Sequence, residues 1–260
     1  MVNVNSHDRG LNYGDGFFTT VLIAQGKPVL WDYHCQRLVA AQQQLGFPQL
    51  DLDSLYIELL SRIEHPHAVA KILISRGVGG RGYAIPDKVE PTLLISMSAY
   101  PEHYTCWQQD GLSLGVAGQR LAAGCSFSSI KTLNRLEQVM LRKEADQSKF
   151  DDLICLDIFD HMIECVSSNL FWLKGNTLYS PDLKTAGVAG IQRQFLMDHC
   201  HHSPYKWQVG QFQLDELAAA DEIFISNAVL QFAPIKQFNE RVFTEHHACR
   251  WFQQLVIRFA

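Results

Sequence analysis

Lys131 is the residue whose setting most invites chemistry. It follows Ser128-Ser129-Ile130 and precedes Thr132-Leu133-Asn134-Arg135-Leu136-Glu137-Gln138, so it sits between an apolar approach and the start of a helix. An amine held in a partly dry pocket loses its proton more readily, and the neutral amine is the form that attacks an aldehyde to give a Schiff base. Taken alone, the residue reads first as a solvated lysine at a helix start, the commoner setting for lysine.

Other short strings compete with it. Gly77-Val78-Gly79-Gly80-Arg81-Gly82 matches the dinucleotide pattern G-x-G-x-x-G. That pattern works when its last glycine opens a helix whose N-terminus holds a pyrophosphate. Here Tyr83-Ala84-Ile85-Pro86-Asp87 follows, and proline ends any helix before its first turn closes. The segment reads as a surface loop between strands, or as a mobile loop over a site in which Arg76 and Arg81 meet an anionic ligand. Ser128-Ser129-Ile130-Lys131, Ser167-Ser168-Asn169 and Lys184-Thr185-Ala186 imitate, in order, the strings of the penicillin-recognising serine hydrolases. The third lacks the glycine that lets a substrate backbone approach, and Met1-Val2-Asn3-Val4-Asn5 lacks the basic start and apolar core of an export signal. Asp198-His199-Cys200-His201-His202 carries metal-ligand residue types, but adjacent positions cannot all converge on one tetrahedral ion. A polar helix end is the better reading, and no metal is expected.

The elements that must position these groups follow from periodicity. A β-branched and aromatic run over 17–23 reads as a strand ending in a hairpin tip at Gln25-Gly26-Lys27. Asp32 can cap a helix that Gly46 and Pro48 stop, and a second helix is expected over 50–63. Buried strands over 69–75 and 91–97 flank the glycine-rich loop. A linker is expected over 100–109. After it come a strand over 112–117, a helix over 134–147, and strands over 152–157 and 169–174. Helices starting near Gly190 and Leu214 bracket the approach to a strand over 222–226.

Composition bounds the classes. At roughly 150 residues per domain, 260 residues make about 1.7 domains, which fits two unequal units over 1–105 and 106–260. Hydrophobic residues at 47% against 19% charged make a packed globule, not a disordered chain. No apolar run nears the ~20 residues that span a bilayer, so a cytoplasmic protein without membrane contact is expected. The net charge is −5 with no basic stripe, which argues against nucleic acid as a partner. Seven cysteines without a C-x-x-C pair read as reduced, mostly buried thiols.

Four ordered segments are more specific than any one string: His34-Cys35-Gln36-Arg37-Leu38, Lys131 through Glu137, Glu164-Cys165-Val166-Ser167-Ser168-Asn169-Leu170-Phe171, and Gly187-Val188-Ala189-Gly190-Ile191. Together they resemble the fold-type IV pyridoxal-phosphate enzymes, the group of branched-chain and D-amino-acid aminotransferases and aminodeoxychorismate lyases. Within it, Ile74 through Tyr83 and Lys131 through Gln138 look most like the lyases. The resemblance implies a small N-terminal α+β domain and a larger C-terminal mixed-sheet, barrel-like α/β domain, both facing one cofactor cleft. Members place a strand and hairpin before the position of Asp8-Arg9-Gly10, which this chain reaches almost at once: either its start was assigned late or its first strand is shorter, and the edge of the first sheet is left open.

The resemblance also implies roles. Lys131 would hold pyridoxal 5'-phosphate as a Schiff base and then shuttle protons. Glu164 would face the pyridine nitrogen and keep it protonated, although alone it reads as an exposed turn acid. Arg37 would bind the phosphate, with backbone N–H groups at Ile191 and Gln192 and the turn at Asn227 and Ala228. Asn134 would touch the cofactor edge. Tyr13 would lie at the mouth of the site or in the core, and Arg76 and Arg81 are substrate candidates. The implied reaction converts 4-amino-4-deoxychorismate to 4-aminobenzoate and pyruvate for folate synthesis, in a homodimer. An amino-acid aminotransferase on the same scaffold is the alternative, and a non-enzymatic ligand-binding relative is a third reading.

Overall fold

A computed structural model describes residues 4–259, so Met1-Val2-Asn3 of the leader reading lie outside the described residues. The chain divides into two compact units. The first runs to Tyr100 and also takes Ile130–Arg135; the second takes Pro101–Ser129 and the chain from Leu136 onward.

The first unit begins with a short helix, α1 (Arg9–Tyr13). Asp8 caps it by accepting the Gly10 N–H, and Gly14 ends it at φ +66°, a conformation that favours glycine. Then come β1 (Gly16–Ala24), β2 (Lys27–Pro28), α2 (Trp31–Gln44), α3 (Leu52–Ser61), β3 (Ala68–Ser75) and β4 (Thr92–Ala99). The strands form an antiparallel sheet in the order β2-β1-β3-β4. Alternate residues Phe17 and Val21 of β1 and Ala70, Ile72 and Ile74 of β3 face a core that Leu38 and Ala41 of α2 and Leu55 and Leu59 of α3 complete. Each such aliphatic or aromatic side chain contributes about 1.5–3 kcal/mol on burial, which is what holds two modestly amphipathic helices to the sheet.

The return of residues 130–135 has a local cause. β2 pairs only with Ile23 and Ala24, which leaves the first half of β1 with an open edge. The Phe18 N–H donates to the Lys131 carbonyl and the Leu133 N–H to the Gly16 carbonyl, each at 2.9 Å, and these bonds fill that edge.

The second unit opens with α4 (His103–Asp110), which occupies most of the stretch expected to be a linker. It continues through β5 (Leu112–Leu121), α5 (Leu136–Gln147), β6 (Asp152–Asp157), β7 (Met162–Cys165), β8 (Asn169–Lys174), β9 (Thr177–Pro181) and α6 (Ile191–His199). It ends with β10 (Lys206–Gly210), β11 (Glu222–Asn227), β12 (Gln231–Phe238), β13 (Arg241–Val242) and α7 (His247–Ile257). A tight 3-10 turn at Leu214–Ala219 stands where a full helix was expected. The strands form a mixed sheet in the order β10-β9-β8-β11-β12-β5-β6-β7, with β13 on β12. Every residue of β6 and β7 is buried, as for strands covered on both faces. The Glu222 carboxylate accepts the Ala248 and Cys249 N–H groups at 2.8 and 2.7 Å, satisfying two orphan donors at the start of α7.

The small α+β unit and the larger mixed-sheet unit are the two classes expected. Among the described residues no helix is long and apolar enough to cross a membrane. The cysteines are free, but only Cys155, Cys165 and Cys249 are buried and Cys106 is exposed, so fewer are enclosed than expected.

Candidate active site

In the first unit, Lys131 is half-buried on the strip of chain that completes β1. Its neighbours lock it there: Ile130 enters the core at 7% exposure, and Thr132 bridges Phe17 and accepts a hydrogen bond from the Arg135 guanidinium at 2.9 Å. The Lys131 ammonium lies over the Phe18 ring, 4.7 Å from its centroid. Asn134 is exposed, and its amide donates to the Gly14 carbonyl at 3.1 Å. That bond ties the lysine segment to the turn carrying Tyr13, which is 37% exposed.

Arg37 projects from α2. The residue is half-buried, yet burial of its guanidinium lowers its pKa to about 10. A desolvated cation of this kind is relieved by an anion, which suits a phosphate ligand. One turn earlier, His34 is fully buried with Nδ1 2.6 Å from the Thr19 hydroxyl, and its Nε2 has no hydrogen-bond partner among the described residues. Burial, then the charge of Arg37, pushes its pKa well below the ordinary 6.5, so it is a neutral imidazole.

Arg76, a substrate candidate by sequence, is only 3% exposed and its guanidinium is taken by structure. Its Nε donates to Asp15 at 2.8 Å, and its terminal nitrogens donate to the Gly46 and Leu45 carbonyls at 3.1 and 2.8 Å. Arg9 shares the same carboxylate at 2.8 Å. Burial alone would raise the Asp15 pKa, but hydrogen bonds from Arg76 and Arg9 outweigh it and hold the group below the ordinary range. Arg81 is exposed on the glycine-rich loop. Arg9 was not singled out by its sequence; its loop partners lie more than seventy residues away.

In the second unit, Glu164 sits on β7 at 6% exposure, and its Oε2 accepts the Val188 N–H at 2.9 Å. A buried carboxylate set beside an apolar run is equipped to hold a protonated ring nitrogen. Gly187 makes this possible. It adopts φ +82°, and a Cβ there would lie 2.7 Å from Ile163 Cγ2. Asn169 fixes the other side of the same turn, donating to the Val188 carbonyl and accepting the Gly190 N–H, both at 2.9 Å.

Gly190 then opens α6 in extended conformation with no side-chain cap, so the N–H groups of Ile191 and Gln192 face the helix end. Gln192 is fully buried, and neither polar atom of its side chain has a partner among the described residues. Ser226, at the end of β11, is likewise buried with an unpartnered hydroxyl. Asn227 organises the following turn by accepting the Val229 and Leu230 N–H groups, which leaves Ala228 half-exposed at its apex. An uncapped helix start and buried polar atoms awaiting partners fit an anionic group such as a phosphate. The serines of the S-x-x-K string are accounted for differently: Ser128 and Ser129 donate to the Thr185 and Leu183 carbonyls. Among the described residues, no cluster of His, Cys, Asp or Glu could hold a metal.

Known proteins share both the sequence and the fold. The amino-transferase class IV profile matches residues 16–238. The aminodeoxychorismate lyase of Vibrio harveyi is 37% identical over 230 residues, covering 88% of this chain and 84% of that protein. The Bacillus subtilis aminodeoxychorismate lyase is 26% identical, covering 90% and 80%. The crystal structure of 4-amino-4-deoxychorismate lyase from Pseudomonas aeruginosa has a TM-score of 0.90 at 34% identity, covering 99% of this chain and 96% of that one. With its small α+β unit, its larger mixed-sheet unit and its four ordered motifs, this chain belongs to the class IV aminotransferase family.

Proposed function

We propose that the chain is a pyridoxal-phosphate-dependent lyase that converts 4-amino-4-deoxychorismate to 4-aminobenzoate and pyruvate in folate synthesis. The observation that carries this reading is its 37% identity to a lyase of that name over 88% of the chain. The aminotransferases of the family are more distant, the D-alanine enzyme of Bacillus licheniformis standing at 27%.

Pyridoxal phosphate, when bound, supplies an aldehyde for the substrate amine and a ring that takes up electron density. Lys131 Nζ would hold that group and, once free, would take the proton from the substrate carbon bearing nitrogen. The same amine returns a proton as the enolpyruvyl oxygen departs and the substrate ring becomes aromatic. Glu164, oriented by the Val188 N–H, holds a proton at the pyridine nitrogen. Arg37, the N–H groups of Ile191 and Gln192, and the turn at Asn227 and Ala228 bind the phosphate. Asn134 orients the lysine segment through Gly14. Tyr13 and Arg81 face the substrate; Arg76 is held by Asp15 and the Leu45 and Gly46 carbonyls.

The enzyme works in the cytoplasm as a homodimer. An apolar stripe on α5, with Leu136 at 74%, Val139 at 60% and Met140 at 40% exposure, supports a second copy, which sedimentation would detect. The deciding assay supplies 4-amino-4-deoxychorismate and measures 4-aminobenzoate. Rapid amino transfer from D-alanine or a branched amino acid to 2-oxoglutarate without 4-aminobenzoate would sink the lyase reading. Lys131→Ala should abolish both turnover and the cofactor's yellow absorbance shift.

A further inference from the structure

Arg9 carries more hydrogen bonds than its place in a five-residue helix requires. The side chain is buried at 3% exposure. Its Nε donates to Asp15 at 2.8 Å, one terminal nitrogen to the Gly82 and Ala84 carbonyls at 3.2 and 3.0 Å, and the other to the Tyr83 carbonyl at 3.3 Å. Three consecutive carbonyls of a distant loop and the Asp15 carboxylate therefore take four bonds from one planar fork, one more than the three donors of a lysine can make.

The loop is shaped to receive it. A Cβ on Gly79 would lie 2.7 Å from Pro86 Cγ and 3.2 Å from Arg9 Cδ, and Gly82 adopts φ +73°. The glycines that imitate a nucleotide motif thus serve close approach and a left-handed turn.

The clamp has an outward consequence. With its backbone held, Tyr83 projects at 87% exposure and meets Tyr13 edge to face, ring centroids 5.4 Å apart. The Arg9 guanidinium lies 5.0 Å from the Tyr13 centroid, so the aromatic pair is braced from beneath. Tyr13 adjoins Gly14, whose carbonyl holds Asn134, and Gly16 holds Leu133; both partners are within three residues of Lys131. Arg81 is exposed on the same loop.

We propose that Arg9 is a positioning residue for the substrate: by fixing the backbone at 82–84 it presents Tyr83 and Arg81, beside Tyr13, to a ring that carries carboxylates. The proposal rests on the lyase reading for the identity of that ring. A net-negative protein needs a local cation and a rigid aromatic edge to gather such a substrate.

Arg9→Lys keeps a cation beside Asp15 and loses the fork. In the holoenzyme, hydrogen exchange over 80–85 should accelerate about tenfold. KM for 4-amino-4-deoxychorismate should rise on the order of tenfold while kcat falls less than about threefold. The cofactor absorbance should keep its wild-type position. Tyr83→Ala, at an exposed side chain, should raise KM with wild-type exchange, because the carbonyl bonds remain. A wild-type KM in Arg9→Lys, or kcat lost at constant KM, overturns the proposal. Should Arg9→Lys fail to fold, an unchanged KM in Tyr83→Ala overturns it. If the wild-type enzyme forms no 4-aminobenzoate, the lyase reading fails, while the exchange measurement still reports on the clamp.

Discussion

Replacing Asp152 by asparagine should stabilise the protein at neutral pH and progressively less in acid. Asp152 opens β6 at 2% exposure, and its Oδ1 accepts the Leu153 N–H at 2.9 Å. Burial pushes its pKa from the ordinary 3.8 up to about 6, against that hydrogen bond and the charge of Arg142, which pull it down. Between those values the folded protein keeps a proton that the unfolded chain has released. The group's contribution to stability therefore falls as pH rises through this window, and is constant above it. Two pKa units at 1.36 kcal/mol each make a swing of about 3 kcal/mol. Asparagine keeps an acceptor for Leu153 and cannot ionise. Urea unfolding of both proteins from about pH 3.5 to 8, with m-values compared, isolates the effect because other carboxylates cancel in the difference. The advantage of Asp152→Asn should grow by about 3 kcal/mol across that range. A difference independent of pH would refute the idea that burial, outweighing the pull of Leu153 and Arg142, governs this carboxyl.

Gly187→Ala should destabilise by about 2–4 kcal/mol, combining a left-handed φ with a crowded Cβ, and should weaken pyridoxal-phosphate retention by displacing Val188 from Glu164. Calorimetry and dialysis against buffer measure the two effects, and full retention of cofactor would separate Gly187 from Glu164. Glu222→Ala leaves the Ala248 and Cys249 N–H groups without their acceptor, and should cost about 2–4 kcal/mol with early exchange of α7; simultaneous exchange of the whole unit would contradict it. Asp15, its pKa held low, stabilises above the ordinary carboxyl range and loses that contribution as pH falls through its depressed value. Protection from exchange over 80–85, relative to the unstructured rate at each pH, should therefore hold at about pH 5 and fall only below about pH 4, and a loss of protection at higher pH would point to a different clamp.

How legible the molecule was depended on the range of the physics involved. β1 and β3 announced themselves through β-branched runs, and α2 through a helical period stopped by Gly46 and Pro48. Lys131, Glu164 and Arg37 stood out through ordered motifs, which carry no information about what holds each residue. β12 contains Pro234, which counts against a strand, yet Phe224 of β11 still pairs opposite it. α7 could have been found: Ala248, Cys249, Phe252, Leu255 and Val256 recur at helical spacing and are all buried. α1, at five residues, is too short to show a period, and its Asp8 cap is the only local sign.

The arginines show where local reading ends. Arg9, Arg76 and Arg81 are identical in composition and lie near the same glycine-rich loop, yet two are buried and one is exposed. What separates them is the supply of acceptors: Asp15 and five backbone carbonyls, contributed by 45–46 and 82–84, absorb the first two guanidiniums. Those acceptors come from segments far apart in sequence, so no window around any one arginine contains its fate. The same reasoning turns the dinucleotide string into a consequence of packing. Gly79 is small because Pro86 and the Arg9 stem press against it, and Gly82 is left-handed because the chain must bend its carbonyls onto a buried fork. A phosphate would need those backbone N–H groups to open a helix; instead the carbonyls face a cation, which inverts the charge of the ligand the loop recognises.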